Sequence, residues 1–255
     1  MRFRSSIIPA IGACVLTSGA IAQPLGSSFD SSSEGWTVET HASPTGTFAL
    51  IQVFAPDYFP AGGVPNGYIS EVDPDNNWSF FRAPASWSGD RSVFSGGWLR
   101  YSTRTNVNNL PDGRLVILVG NNGEHISCDL GVPDINIWTH RQIRLSAGSW
   151  YTGTDAAGTQ ATQAQIDNVL ADLEALFIGL EFGSDLAEEV VGLDNVSLSD
   201  CTADFTGEDA LDIFDVFAFL DAFNTMDPDA DFTGDGSFDI FDVFAFLDAF
   251  NAGCL

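Results

Sequence analysis

The sequence predicts a mainly β protein, an antiparallel sandwich with one helix, followed by a small all-α module at the C-terminus. Three observations support this. Residues 29–199 consist of short apolar or alternating runs broken by Gly, Pro, Asn and Asp, as antiparallel strands are. Within that region, only residues 162–176 place apolar side chains at helical spacing. Residues 204–224 and 231–251 are two copies of one unit at an offset of 27, and both contain the run DIFDVFAFLDAFN.

The N-terminus, residues 1–22, has the features of a secretory signal peptide. Arg2 and Arg4 precede an apolar stretch over 7–16, and Ala20-Ile21-Ala22 is a cleavage motif of the A-x-A type. We therefore expect cleavage after Ala22 and a secreted or cell-surface protein. No later stretch approaches the roughly 20 apolar residues of a membrane-spanning helix.

The predicted strands of the sandwich are short, and turn residues separate them. Their ranges are 48–54, 67–72, 98–104, 114–119, 138–145, 177–182 and 192–198. The predicted helix at 162–176 has either Thr159 or Thr162 as its N-cap. Its apolar face is formed by Ile166, Val169, Leu170, Leu173 and Leu176.

Aromatic and arginine residues in this region leave alternatives open. We expect the core to contain Trp78, Trp87, Trp98, Tyr101, Trp138 and Trp150. Sugar stacking on an exposed face is the alternative for some of them. Arg82, Arg91, Arg100 and Arg104 are expected to pair with carboxylates across strands, with an anionic-glycan site as the alternative.

The charge of the chain excludes some partners. Its formal net charge is −26, and it contains no lysine. Such an anion repels nucleic acid and anionic membrane surfaces, so neither is expected to bind. Residues 201–255 contain thirteen Asp and Glu and no Lys or Arg, although they are rich in Phe. A segment of this composition needs cations in order to fold.

The second repeat supplies oxygen atoms at the spacing of an EF-hand-type calcium loop. Loop positions 1, 3, 5, 9 and 12 are Asp231, Thr233, Asp235, Asp239 and Asp242. Calcium needs six to eight oxygen ligands at about 2.3–2.6 Å, and alternate positions of a tight turn point inward. Gly236 at position 6 permits the bend, and the backbone carbonyl of Ser237 is the expected ligand at position 7. The sequence therefore predicts a calcium site here.

The first repeat is a weaker version of the same loop. Asp204, Thr206, Glu208, Asp212 and Asp215 take the five side-chain positions, and the carbonyl of Ala210 takes position 7. Position 6 is Asp209 rather than glycine, and a non-glycine residue is strained at positive φ. Glu208 is also one methylene longer than the usual aspartate. We expect calcium to bind this loop more weakly than the second loop, or not at all.

The duplicated loop and helix resemble the type I dockerin, and the ending Gly253-Cys254 resembles the GC-type dockerin segments of exported planctomycete-like proteins. The resemblance covers 201–255. It implies attachment to a cohesin-like or cell-envelope protein through loop positions 10 and 11, which are Ile213, Phe214, Ile240 and Phe241. The helices agree with this, because their apolar residues occupy nearly the whole circumference. A helix pair docked on the sandwich is the alternative.

The cysteines are consistent with export. Cys201 and Cys254 bracket the acidic segment, and an oxidising compartment permits disulfides, so we predict that they pair. Anchoring through Cys254 is the alternative. Cys128 is expected to be a buried thiol on a strand.

The sandwich region resembles the laminin IV (laminin B) domain over about residues 29–199. Trp78-Ser-Phe-Phe-Arg-Ala-Pro84, Ser95-Gly-Gly-Trp-Leu-Arg-Tyr101 and Gly192-Leu-Asp-Asn-Val-Ser-Leu198 occur in the order of that family's motifs. The resemblance implies a jelly-roll sandwich in adhesive, extracellular-matrix-type proteins without catalysis. Residues before Trp78 match least well.

No catalytic motif is present in the sequence. The only histidines are His41, His125 and His140, and neither HExxH nor GxSxG occurs. We therefore expect an exported, non-catalytic adhesion or structural protein. The alternative is a carbohydrate-binding module or an accessory of polysaccharide degradation, which would have an extracellular glycan as its partner.

Overall fold

The computed structural model describes residues 25–42, 48–73, 77–109, 115–183, 189–206, 210–233 and 236–253. The expected signal peptide, 1–22, lies outside them. The described residues form thirteen strands and three α-helices. The strands are β1 (Leu25–Ser27), β2 (Thr37–His41), β3 (Leu50–Phe54), β4 (Asp57–Phe59), β5 (Tyr68–Val72), β6 (Trp78–Arg82), β7 (Trp98–Thr105), β8 (Leu115–Gly120), β9 (His125–Asp129), β10 (Thr139–Arg144), β11 (Tyr151–Thr152), β12 (Leu173–Gly179) and β13 (Val190–Ser199). The helices are α1 (Gln163–Ala171), α2 (Ile213–Thr225) and α3 (Ile240–Ala252).

The strands form two antiparallel sheets. In the first sheet the order is β10-β7-β13-β5-β4, and β1 also pairs with β13. In the second the order is β11-β9-β8-β12-β6-β2-β3. Each predicted strand range contains or overlaps an observed strand, so the expected antiparallel sandwich is confirmed.

The core between the two sheets is apolar and rich in aromatic rings. Trp36 packs edge-to-face against Phe29 and Trp87, and its Nε1 donates a hydrogen bond to Ser27 Oγ. Tyr101 and Trp150 also lie in this core, as expected. Trp98 is buried outside it, against Arg100 and Arg144, and Trp78 and Trp138 are only half-buried. Paired aromatic rings of this kind contribute packing energy beyond their buried area.

Strand β8 is apolar at every position because both of its faces are covered. Val116 and Leu118 face the core, while Leu115, Ile117 and Val119 form a second cluster with Phe80 and Phe177 on the outer face of the sheet. This continuous apolar run is typical of a strand that is buried on both sides.

Helix α1 is shorter than the sequence predicts. Thr162 is its N-cap and forms a capping box with Gln165, which confirms one of the two predicted caps. The helix ends at Ala171, however, and Leu173 and Leu176 belong to β12. Residues three apart on a regular strand point to opposite faces. A bulge between Leu173 and Ala175 shifts the register, so that Leu173 and Leu176 both face the core. Their spacing in the sequence therefore resembles that of a helix.

Helices α2 and α3 pack against each other through identical residues of the two repeats. The rings of Phe219 and Phe246 are stacked with centroids 4.0 Å apart, and both are buried. Phe205 and Phe232, one from each loop, pack around this pair. Among the described residues, no helix is both long and apolar enough to cross a membrane.

The cysteines agree with the expectations as far as they are described. Cys128 is a free, buried thiol on β9, and burial raises its pKa. Cys201 is buried. Cys254 lies outside the described residues, so the pairing of Cys201 with Cys254 remains a prediction.

Candidate functional site: the acidic loops and the exposed helix faces

In both repeats the carboxylate at loop position 12 connects the loop to the helix. Asp215 Oδ1 accepts hydrogen bonds from the backbone N–H and the hydroxyl of Thr206, at 2.9 and 2.8 Å. Its Oδ2 accepts the backbone N–H of Asp212 at 2.9 Å. Asp212 in turn caps α2, and its carboxylate accepts the N–H of Phe214. One carboxylate therefore holds positions 3, 9 and 12 together.

The second repeat reproduces this network. Asp242 Oδ1 accepts the N–H and the hydroxyl of Thr233, both at 3.0 Å, and Oδ2 accepts the N–H of Asp239 at 2.9 Å. Asp239 caps α3 through the N–H of Phe241. Capping boxes of this type follow from the local sequence alone, because both partners are three residues apart.

The carboxylates of Asp215 and Asp242, called the hub carboxylates below, are held in the ionised form. Burial raises the pKa of Asp215 and of Asp242, but hydrogen bonds from the neighbouring N–H and hydroxyl groups outweigh burial and lower both pKa values below the ordinary value. A carboxylate that stays ionised while buried is the form that a hard cation requires.

The second loop has the donor set and the bend that calcium needs. Asp231, Thr233, Asp239 and Asp242 offer only oxygen atoms. Gly236 has a φ of +77°, the left-handed conformation predicted for position 6, and its N–H donates to Asp231 Oδ2. Ser237 lies exposed in the same turn, and Asp235 lies outside the described residues. These residues fit a calcium ion.

The first loop differs at position 1. Asp204 is fully buried, and its Oδ2 lies 2.8 Å from Nη2 of Arg100, which is also buried. One oxygen of this expected calcium ligand is therefore already paired with a cation from the sandwich. Glu208 lies outside the described residues, and Ala210 is exposed. This ion pair adds a third reason for weak calcium binding in the first loop, besides Asp209 at position 6 and the longer side chain of Glu208.

The C-terminal segment contacts the sandwich through its loops. Arg144 donates to the carbonyl of Thr202 at 2.8 Å, lies over the rings of Trp98 and Phe205, and is 3.7 Å from a carboxylate oxygen of Asp229. Because the loops make these contacts, large parts of both helix surfaces stay uncovered.

The exposed helix faces carry the predicted partner-binding residues. Ile213, Phe214, Ile240 and Phe241 are each between 54% and 63% exposed. Phe217 and Leu220 continue the face on α2, and Phe244 and Leu247 continue it on α3. Exposed apolar patches of this kind, rimmed by polar residues, mark interaction sites in soluble proteins.

A shallow groove of about 530 Å³ lies on the first sheet, and its lining includes Ser102, Trp138, His140 and Asn195. Beside it, the guanidinium of Arg104 lies over the rings of Tyr68 and Trp138. Arg82 pairs with Glu39 at 3.4 Å, and Arg91 donates to backbone carbonyls. Of the four clustered arginines, Arg82 thus pairs with a carboxylate across strands as expected, whereas Arg100 pairs with Asp204 of the first acidic loop.

Comparison with solved structures identifies the fold. The L4b domain of human laminin alpha-2 matches over 71% of this chain and 98% of its own length, with 13% identity and a TM-score of 0.53. An exo-beta-agarase matches over 64% of this chain and 22% of its own, with 12% identity and a TM-score of 0.37. The module CtCBM11 matches over 71% and 90%, with 17% identity and a TM-score of 0.32. No curated protein matches the chain.

A match between the sequence and a protein-family model agrees with this structural similarity. The model described as Laminin B (Domain IV) matches residues 80–213, more than half of the chain. The match ends where α2 begins, so almost all of both C-terminal helices lies beyond it. The chain belongs to the laminin B (domain IV) family.

Proposed function

We propose that this chain is an exported, non-catalytic adhesion or structural protein whose laminin-B-type sandwich is attached to a protein partner through a calcium-dependent, dockerin-like C-terminal segment. The observation that carries the proposal is the pair of exposed apolar helix faces, which have the same sequence and follow directly from acidic loops. A non-catalytic role agrees with the match to the laminin B (domain IV) family and with the lack of HExxH and GxSxG motifs in the sequence.

Calcium enters this proposal as a structural ion. Asp231, Thr233, Asp239 and Asp242 would hold it in the second loop. When bound, it supplies positive charge that offsets the repulsion among thirteen carboxylates in residues 201–255. The chain's own contribution is the hub carboxylate, which keeps each loop next to the helix that it caps.

The partner in this proposal is a cohesin-like or cell-envelope protein with an apolar groove. Each helix presents an Ile-Phe pair at its first turn, and the cap that precedes the pair is an aspartate in both repeats. An amphipathic helix laid into a groove is a common mode of recognition. Because the two faces are identical in sequence, either one could engage the same partner.

Removal of calcium is expected to lower the helix content of the full chain while the sandwich stays folded. Far-UV circular dichroism reports the helices, and tryptophan fluorescence reports the sandwich, because all six tryptophans lie between Trp36 and Trp150. Asp242→Asn should abolish the calcium response of α3, and Asp215→Asn should have the smaller effect. Helix content that is unchanged in chelator would contradict the calcium requirement.

The binding test uses the full chain and a cell-envelope fraction of the producing organism, with calcium or with chelator. We expect retention in calcium, loss in chelator, and loss in the double variant Phe214→Asp/Phe241→Asp. Each single variant should still bind, because the other helix remains. Phe59→Asp is the matched control, since Phe59 is an exposed phenylalanine on β4 of the sandwich.

The same experiment distinguishes carbohydrate binding, the alternative function, from attachment through the helices. The observation in its favour is the half-buried Trp138 beside the groove, with Arg104 over its ring. Retention that is lost in Trp138→Ala, kept in the helix double variant and inhibited by soluble glycan would support a carbohydrate-binding module and contradict attachment through the helices.

A further inference from the structure

Three buried carboxyl groups lie close together in the sandwich, two beside strands of the first sheet and one beside a strand of the second. Asp73 follows β5 and Glu189 precedes β13 in the first sheet, and Glu181 follows β12 in the second. All three are buried, with exposures of 5%, 0% and 8% respectively. One oxygen atom from each lies within 4.8 Å of those of the other two.

Backbone groups hold these carboxylates in place. Glu189 accepts the N–H groups of Phe182 and Gly183, at 2.7 and 2.9 Å. Glu181 accepts the N–H of Ser79 at 2.9 Å. The hydroxyl of Ser79 donates to Asp73 Oδ1 at 3.2 Å. The three acids are therefore fixed by segments that lie far apart in the sequence.

A fourth oxygen, which shares a sheet face with Ser79, has no hydrogen bond of its own. Thr40 is fully buried, and its Oγ1 has no hydrogen-bond partner. Thr40 on β2 pairs in register with Ser79 on β6, so the two side chains share one face. Val38 and Phe81, the next pair on that face, belong to the core between the sheets. The hydroxyl of Thr40 is thus directed to the side on which Ser79 contacts Asp73, and a buried polar atom without a partner calls for a ligand.

The electrostatic surroundings of the cluster favour a cation. Burial and the charge of Asp73 raise the pKa of Glu181 to about 8, and burial raises the pKa of Glu189 to about 7. The charged groups that act on Glu181 are the other two carboxylates. Three carboxyl groups that repel one another in a buried place are stabilised when a positive charge is shared among them.

The type and number of the donor atoms indicate which ion suits the cluster. Every donor is an oxygen, which suits a hard cation rather than zinc or copper. Two oxygens on opposite sides of a calcium ion are about 4.6–5.2 Å apart, since each lies about 2.3–2.6 Å from the metal. Magnesium usually keeps several waters and is held by one or two carboxylates, whereas calcium accepts a larger set of protein oxygens. Three carboxylates whose donor atoms all lie within 4.8 Å of one another therefore suit calcium.

We propose that Asp73, Glu181 and Glu189 bind a calcium ion that ties the two sheets together, with the hydroxyl of Thr40 as a neighbouring oxygen donor. This site is separate from the acidic loops of residues 201–255. It makes the sandwich itself stabilised by calcium, whatever the C-terminal segment does.

The test follows thermal unfolding of the full chain by tryptophan fluorescence, in calcium chloride and in chelator, together with the amount of calcium bound per chain. At calcium about 100 times the dissociation constant, we expect the tryptophan-monitored midpoint to rise by roughly 5–10 °C. The double variant Glu181→Gln/Glu189→Gln should lose this rise and one bound calcium ion. Its midpoint in chelator should be no lower than that of the unchanged chain, because the amides do not repel one another.

Control variants separate this site from the acidic loops. Asp215→Asn/Asp242→Asn should keep the rise, and so should Glu174→Gln, an exposed glutamate on β12. Thr40→Val preserves the shape of the side chain and should lower calcium affinity by about 10-fold or more. An unchanged midpoint in calcium for the original chain, or an unchanged calcium content and midpoint rise in the glutamine variant, would overturn the proposal.

Discussion

Replacing Arg100 with alanine is expected to lower the free energy of unfolding by about 3–5 kcal/mol, since it leaves a buried carboxylate without its partner. Arg100 lies 2.8 Å from Asp204, and both side chains are almost completely buried. Arg100 also donates to Ser199 Oγ at 3.1 Å and lies over the ring of Trp98. The pair connects β7 of the sandwich to the first acidic loop, so its loss should also loosen the C-terminal segment.

The measurement is urea unfolding in chelator, which prevents calcium from taking over the charge of Asp204. The matched control is the double variant Arg100→Met/Asp204→Leu, which removes both charges and keeps apolar volume. Replacement of a buried ion pair by apolar residues is often neutral or stabilising. A single variant as stable as the double variant would show that the ion pair has no role in stability.

Phe246→Ala is expected to destabilise the C-terminal helix pair by about 3–5 kcal/mol, because it removes a buried aromatic side chain and leaves a cavity. The ring of Phe246 is 1% exposed and is stacked on Phe219 at 4.0 Å. Phe241 is the control on the same helix, since its ring is 63% exposed and Phe241→Ala should change stability by no more than about 0.5 kcal/mol.

Helix content measured by circular dichroism during urea unfolding distinguishes the two variants, because α2 and α3 contain most of the helical residues. The tryptophan signal of the sandwich should change little in either. Equal destabilisation by Phe246→Ala and Phe241→Ala would mean that the helices do not pack through the Phe219–Phe246 pair.

The features that the sequence predicts well are local. The predicted cap Thr162 lies three residues from its partner Gln165, so their hydrogen bonds need no distant segment. The bend at Gly236 and the exposed Ile-Phe pairs follow in the same way from the repeat. The alternation of apolar and polar residues likewise located the strands, although the bulge in β12 made residues 173–176 look helical.

By itself, the sequence determined that the chain is a sandwich followed by two loop–helix units, and which side chains of each loop face one another, because those interactions span only a few residues. The tertiary structure alone decided that Arg100 pairs with Asp204, 104 residues away, and that Asp73, Glu181 and Glu189 meet. The physical reason is that a chain with 35 acidic residues has no local signal that marks the few carboxylates which burial brings together. Packing of the two sheets, and of the first acidic loop against the sandwich, brings these groups together, and burial raises the pKa of Glu181 and Glu189.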